Sequence, residues 1–363
     1  MAQTLLMIGT RKGLWMARSD ERRERWQVEG PQFLMNEIAS CAIDTRGGST
    51  RLFAGVLSFH LGPQVSRSDD LGQTWEDTPG GSVRFPEDTG AALERVWQVA
   101  PGPDEEPEVV YAGTEPSALF RSTDRGETFT MVRPLWDHPH REKWAPGFGG
   151  QAIHTILPGR DDPTKMTVAM STGGVYQTED RGESWRPANV GVKAHYLPDP
   201  WPEFGQCVHK IAGHPERPDQ MYLQNHHGVY RTKDRGATWE SIATGLPSDF
   251  GFPVVVDPND PDTVYVFPLV ADGERIPPQG RPRVWRSRDA GSTWAELSDG
   301  LPDSGFYTAV MRDAMCADNG ATTGLYFGSR DGSVYASHDA GDSWQQVASH
   351  LPDVLCVRAA VLH

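Results

Sequence analysis

Two short segments of the 363-residue chain, "GGQAIHTI" (149–156) and "FGQCVHKI" (204–211), align so that Gln151 matches Gln206 and His154 matches His209. A third, "LERVWQVA" (93–100), places Glu94 and Trp97 in the same two slots. An imidazole titrates near neutrality and can take a proton α to a carboxylate, the step of a uronate-type lyase; paired with a carboxyl group it can also run acid/base hydrolysis of a glycosidic bond. In that chemistry His154 or His209 is the general base, Glu94 or Glu115 the acid, and Arg11 the clamp for a substrate carboxylate. His60, Trp97, Gln151, Gln206, His226, His227 and Arg330 are expected to line the substrate, and Trp136, Trp144 and Trp201 offer stacking faces for sugar rings. No cofactor is expected. The twelve histidines keep a divalent metal in a His-lined pocket open as an alternative, although no ligand spacing of the HExxH kind supports it.

The elements that must carry these residues are repeats. "SRSDDLGQTWED", "FRSTDRGETFTM", "YQTEDRGESWRP", "YRTKDRGATWES", "WRSRDAGSTWAE" and "YASHDAGDSWQQ" share the pattern (S/T)xDxGx(T/S)(W/F). They align Asp70, Asp124, Asp180, Asp234, Asp289 and Asp339 at intervals of 54, 56, 54, 55 and 50 residues. The carboxylate can accept amide N–H groups of its own turn, the glycine permits positive φ, and the aromatic is suited to the core, so each copy reads as a self-fastened hairpin.

Short strands precede each turn, for example "GVYRT" and "TVYVF", and one follows it, which makes a four-stranded unit of about 50 residues and one blade of a β-propeller. Upstream of the first turn, "TLLMIGT", "GLWMARSD" and "RWQVEG" supply three strands of a further unit whose first strand is missing. "DVLCVRAAVL" (353–362) is a lone strand at the other end. Pairing the two closes a ring of seven blades and removes the exposed edge. The expected fold is thus all-β, a single propeller domain with blades at 354–362 plus 1–30, 36–78, 93–132, 150–187, 206–243, 251–298 and 306–348.

The six turns resemble the BNR or Asp-box repeats of sialidase-like propellers. With "GTRKGLW" near the start, the chain looks like the bacterial BNR-repeat "glycosyl hydrolase" group. That resemblance covers nearly the whole chain and implies the propeller fold. For activity it implies less, because the same turns occur in photosystem assembly factors and sorting receptors. A sialidase would need an FRIP motif, and the nearest string is "VRFP" (83–86). Arg11, Arg95 and Arg330 are left as a chance arginine cluster, with Tyr307, at the expected start of the last inner strand, as the one candidate nucleophile. The expected function is an intracellular carbohydrate-active enzyme, hydrolase or lyase; the alternative is a non-catalytic propeller that binds a protein or peptide.

In such a blade the fastened turns share a face with the loops between strands one and two. The opposite face holds the two-to-three hairpins and the links between blades. Links 78–93, 133–150 and 187–205 are long and rich in Trp, His, Pro and Gly, so the site is expected at the channel mouth on that face, with loop 271–283 as a lid. Cys41 and Cys356 are read in the same inner-strand register as the two histidines, as small buried thiols. A formal net charge of -15, with 34 Lys plus Arg against 49 Asp plus Glu, argues against nucleic acid and anionic membranes as partners. The opening residues read as a strand and not as a signal peptide, and the four cysteines lack paired spacing; both point to the cytoplasm.

Overall fold

In all six repeated turns the side chains close the backbone as their types require. At Ser68–Thr74, the Ser68 hydroxyl donates to Asp70 Oδ1 (2.8 Å) and accepts from the Gly72 amide (2.9 Å), while the carboxylate accepts the Thr74 amide (2.9 Å) and hydroxyl (2.6 Å). The residue before the glycine also takes positive φ, as with Arg125 (61°) ahead of Gly126 (85°). At Gly126 a Cβ would stand 2.6 Å from the Phe53 ring, so close packing of neighbouring blades, as well as φ, demands glycine there.

The computed structural model describes residues 3–78, 81–147 and 150–362. These form seven four-stranded antiparallel sheets. Their inner strands are Val354–Leu362, Glu37–Asp44, Arg95–Pro101, Ile153–Pro158, Val208–His214, Phe250–Asp257 and Met315–Ala317, in blades one to seven. Each inner strand lies against that of the next blade, and the seventh meets the first, so the ring is closed. The seam is blade one itself. Val354–Leu362 runs antiparallel to Gln3–Thr10, with Leu362 opposite Gln3 and Val354 opposite Thr10.

Second strands carry a large aromatic at one repeating position: Phe53, Tyr111, Tyr222, Tyr265 and Tyr326 are all buried. Each such side chain contributes roughly 1.5–3 kcal/mol by leaving water. Among the turn aromatics, Trp239 and Trp294 reach back and donate their indole N–H to the preceding blade, at Ala188 and Ile242 O. The repeat thus closes its own turn and cements its neighbour. No helix among the described residues is long and apolar enough to cross a membrane.

Two expectations need correcting. Tyr307 does not begin the last inner strand, which starts at Met315; Tyr307 lies in the preceding link and is 72% exposed. Cys41 and Cys356 are not in the histidine register. They face each other across the seam between blades one and two, with 3.5 Å between sulfurs.

Candidate functional site

Six inner strands share a bulge near the face opposite the fastened turns, the sixth between Gly251 and Val254 of blade six. The residue left out of register is Leu355, Ala39, Trp97, His154 and His209 in blades one to five. Aligning Trp97, His154 and His209 from sequence therefore matched structurally equivalent positions. The residues two places earlier are Asp353, Glu37, Arg95, Ala152 and Cys207. Of these, Asp353, Glu37 and Arg95 are linked by ion pairs, whereas Ala152 is buried. A one-residue slip along a strand exchanges its faces.

At the mouth the charged residues form a continuous arc. Arg330 pairs with Asp353 (2.7 Å), Asp353 with Arg11 (3.1 Å), Arg11 with Glu37 (3.1 Å), Glu37 with Arg95 (3.0 Å) and Arg95 with Glu115 (3.4 Å). The Trp97 indole N–H donates to Glu115 Oε2 at 2.9 Å, and its ring lies 5.3 Å from the Arg95 guanidinium. Arg11, Arg330, Arg95, Glu115 and Trp97 were all singled out in the sequence; Glu37 and Asp353 were not. What marks them is their place two residues ahead of the bulge, which only the structure shows.

Beyond Trp97 stands Arg312, from the link into blade seven, with its guanidinium 4.8 Å from the indole. It is 8% exposed, its Nε has no hydrogen-bond partner, and no carboxylate lies within ion-pairing distance among the described residues. Burial lowers its pKa from the ordinary value. The buried arginines 23 and 51 differ, being paired with Asp318 and Asp69.

The two inner-strand histidines clip blades together. The His154 ring is fully buried, with Nε2 2.9 Å from Val208 O of the next blade and Nδ1 3.2 Å from the Thr155 hydroxyl. The carbonyl requires Nε2–H as donor, so Nδ1 accepts, and the ring has no free lone pair for a general base. Burial first, then Arg312 and Lys210, hold it neutral, well below the usual histidine range. His209 Nδ1–H donates to Gly251 O at 2.6 Å, and the ring stacks on Phe252 with 4.7 Å between centroids. Burial and Arg312 also hold His209 neutral, but its Nε2 stays uncommitted.

The remaining candidates scatter. Glu94 is exposed, and its amide donates to Glu115 O (2.8 Å). Gln206 is fully buried and donates to Val192 O and Pro202 O, which staples a long link. Gln151 is half-buried with its amide nitrogen unpartnered. His60 sits on an exposed hairpin tip against Phe59. His227 lies 3.8 Å from Asp249, and His226 3.3 Å from Asp272. Trp136 and Trp144 are buried, Trp144 donating to the Tyr176 hydroxyl (2.9 Å), so neither offers a stacking face; Trp201 is 58% exposed and does. Loop 271–283 is anchored at the mouth, with Arg275 5.4 Å from the Phe252 ring.

A cavity of about 340 Å³ opens at the other end of the channel, on the face of the fastened turns, lined by residues such as Gln98, Ile156, His214 and Arg235.

No family model matches the chain. Its relatives include a xyloglucanase of Paenibacillus sp., 28% identical over 178 residues (44% of this chain, 16% of the relative), and a xyloglucanase of Hypocrea jecorina, 21% identical over 299 residues (82% and 29%). The chain spans less than a third of the length of these curated relatives. Among solved structures, a protein from Lactobacillus plantarum superposes with a TM-score of 0.61 at 12% identity, covering 99% of both chains. An ancestral GH74 enzyme gives 0.58 at 15% identity (86% of this chain, 38% of that one), and YCF48 bound to D1 peptide gives 0.50 at 15% (85% and 81%). At these identities the structural likeness is one of fold. The chain is a seven-bladed β-propeller, and its relatives in sequence include xyloglucanases.

Proposed function

We propose that the protein is a glycoside hydrolase acting on an oligosaccharide at the channel mouth opposite the fastened turns. One observation carries the reading: Glu37 and Glu115, from adjacent blades, share the Arg95 guanidinium at the mouth and keep their carboxylates partly open to solvent. Two carboxyl groups held on one rigid frame are what glycosidic cleavage needs, one to protonate the leaving oxygen and the other to serve as nucleophile or to activate water. Exposed aromatics occur on the same face: Phe59, Tyr196, Trp201 and Tyr307 all belong to two-to-three hairpins or blade links. The xyloglucanase relatives favour a neutral β-glucan fragment as substrate. Hydrolysis is favoured over lyase chemistry by the carboxylate pair and by the xyloglucanase relatives. The six Asp turns then serve as the scaffold of a BNR-type propeller. The four free cysteines favour a reducing compartment, as in the cytoplasm.

The test is reducing-end release from a panel of xyloglucan and other β-glucan oligosaccharides, with E37Q and E115Q alongside the parent. Each substitution lowers turnover by about 100-fold or more. Turnover unchanged in both variants removes the assignment; tight binding of a peptide with no turnover on any glycan establishes the non-catalytic alternative.

A further inference from the structure

The least explained group at the mouth lies two blades beyond the nearer of the two carboxylates. The ligand atoms of Cys207, His209 and His226 fall within 4.8 Å of one another. Cys207 precedes the inner strand of blade five, His209 occupies its bulge, and His226 sits on the two-to-three hairpin of the same blade. The chain crosses the mouth twice here, and the His226 amide donates to Cys207 O (2.9 Å), so the two passes are tied by backbone before any ligand is added.

Each imidazole already has one nitrogen oriented by an acceptor. His209 Nδ1–H donates to Gly251 O (2.6 Å), which leaves the lone pair on Nε2. His226 Nε2 lies 3.3 Å from Asp272 Oδ2, which places its proton there and the lone pair on Nδ1. A carbonyl or carboxylate holding the outer nitrogen is the outer-shell arrangement that orients metal-bound histidines and strengthens them as donors. Thiolate and imidazole are the ligands a zinc-type ion prefers.

We propose that Cys207, His209 and His226 form a three-ligand site for a divalent ion of the zinc type, with the fourth position on the side where Cys207 and His226 remain partly exposed. Ligand atoms of a tetrahedral zinc site, at about 2.0–2.3 Å from the ion, stand roughly 3.3–3.8 Å apart, so closure needs about 1 Å of movement. Arg312 and Arg275 are the cations facing the site; burial pushes the Cys207 thiol up in spite of them, so the ion must displace the thiol proton, after which the thiolate and Asp272 set two negative charges against the bound cation. The balance leaves the fourth position suited to an anionic or strongly polar oxygen.

The experiment is titration of the full-length, chelator-treated protein with cobalt(II), read by its tetrahedral d–d bands and the thiolate charge-transfer band, with zinc competition and metal analysis giving stoichiometry. One ion per chain is expected. C207S abolishes the charge-transfer band, H226N weakens binding at least 10-fold, and D272N weakens it about 10- to 100-fold by releasing His226. Asp272 lies at the surface, so D272N leaves the interior intact and controls for H226N, whose ring is partly buried against Phe250 and Tyr196; His209 also clips Gly251 and stacks on Phe252, so its replacement is not used. Absence of a thiolate band in the parent, or equal cobalt affinity in the parent, C207S and H226N, overturns the site. The readout is spectroscopic and independent of turnover, so it stands or falls apart from the hydrolase assignment.

Discussion

Lys210 and Asp313 meet across the central channel with 2.8 Å between Nζ and Oδ1, joining blade five to the segment that enters blade seven. Arg358, from the inner strand of blade one, binds the same oxygen at 2.6 Å. One carboxylate thus ties three blades. Burial works against its charge, but the two cations hold the Asp313 carboxyl well below the usual carboxylate range.

Removing that carboxylate strands two buried cations, so D313N is expected to destabilise the protein by about 3–5 kcal/mol. K210M leaves the Arg358–Asp313 pair intact and costs less. Chemical denaturation of the two variants against the parent checks the order. Equal stability of D313N and parent would show that the ion triad does not hold the ring together.

The fastened turns make stability depend on acid. Hydrogen bonds from Thr74, Ser184 and Thr293 hold Asp70, Asp180 and Asp289 at about 2, against an ordinary 3.8. A carboxyl group depressed on folding adds stability that is complete above its unfolded value and disappears as pH falls through its folded value. The melting temperature is therefore expected to stay level down to about pH 5 and to drop between about pH 4 and 2. D180N should lower it at pH 7 and flatten part of that acid slope. A melting profile indifferent to pH over this range would contradict the turn energetics.

The ring was legible because its signal repeats: an Asp, a Gly and an aromatic every 50 to 56 residues force the same turn six times, and the unpaired strands at the two ends could only complete each other. The site was legible by type more than by position. Histidines 154 and 209 lie at equivalent bulges, as their alignment implied, but a bulge changes which neighbour faces the channel, and no pattern in one strand reports it. Hence Glu94, an exposed residue, was preferred to Arg95 beside it. Glu37 and Arg312 drew no notice because nothing near them repeats. Trp136 and Trp144 mislead for another reason: a tryptophan in a long link is as readily the link's own core as a ligand platform.

Trp97 offers a milder probe of the carboxylate pair than replacing the acids themselves. W97F keeps a smaller aromatic ring beside Arg95 and Arg312 and deletes the N–H that Glu115 accepts at 2.9 Å. A hydrogen bond to a charged acceptor is worth about 1.5–3 kcal/mol, so turnover on the responsive glycan should fall roughly 10- to 100-fold with the fold unchanged. Measured kcat and KM, with a circular dichroism spectrum for each protein, decide it. A change confined to KM would make Trp97 a binding face and not a support for Glu115.

Closure of the ring rests on Val354–Leu362. This segment is the inner strand of blade one, paired with Gln3–Thr10 along its length, and it packs Cys356 at 3.5 Å from Cys41 of blade two. Without it, Gln3–Thr10 presents a bare edge to the channel, and Arg358 no longer reaches Asp313. Truncation after Pro352 is therefore expected to abolish cooperative unfolding and to promote self-association, as read by calorimetry and size-exclusion chromatography. Adding the excised segment as a free peptide should restore part of the melting transition in proportion to its concentration, because the strand is then recruited by mass action. A truncated chain that melts like the parent would mean that the other six sheets hold the circle without the seam.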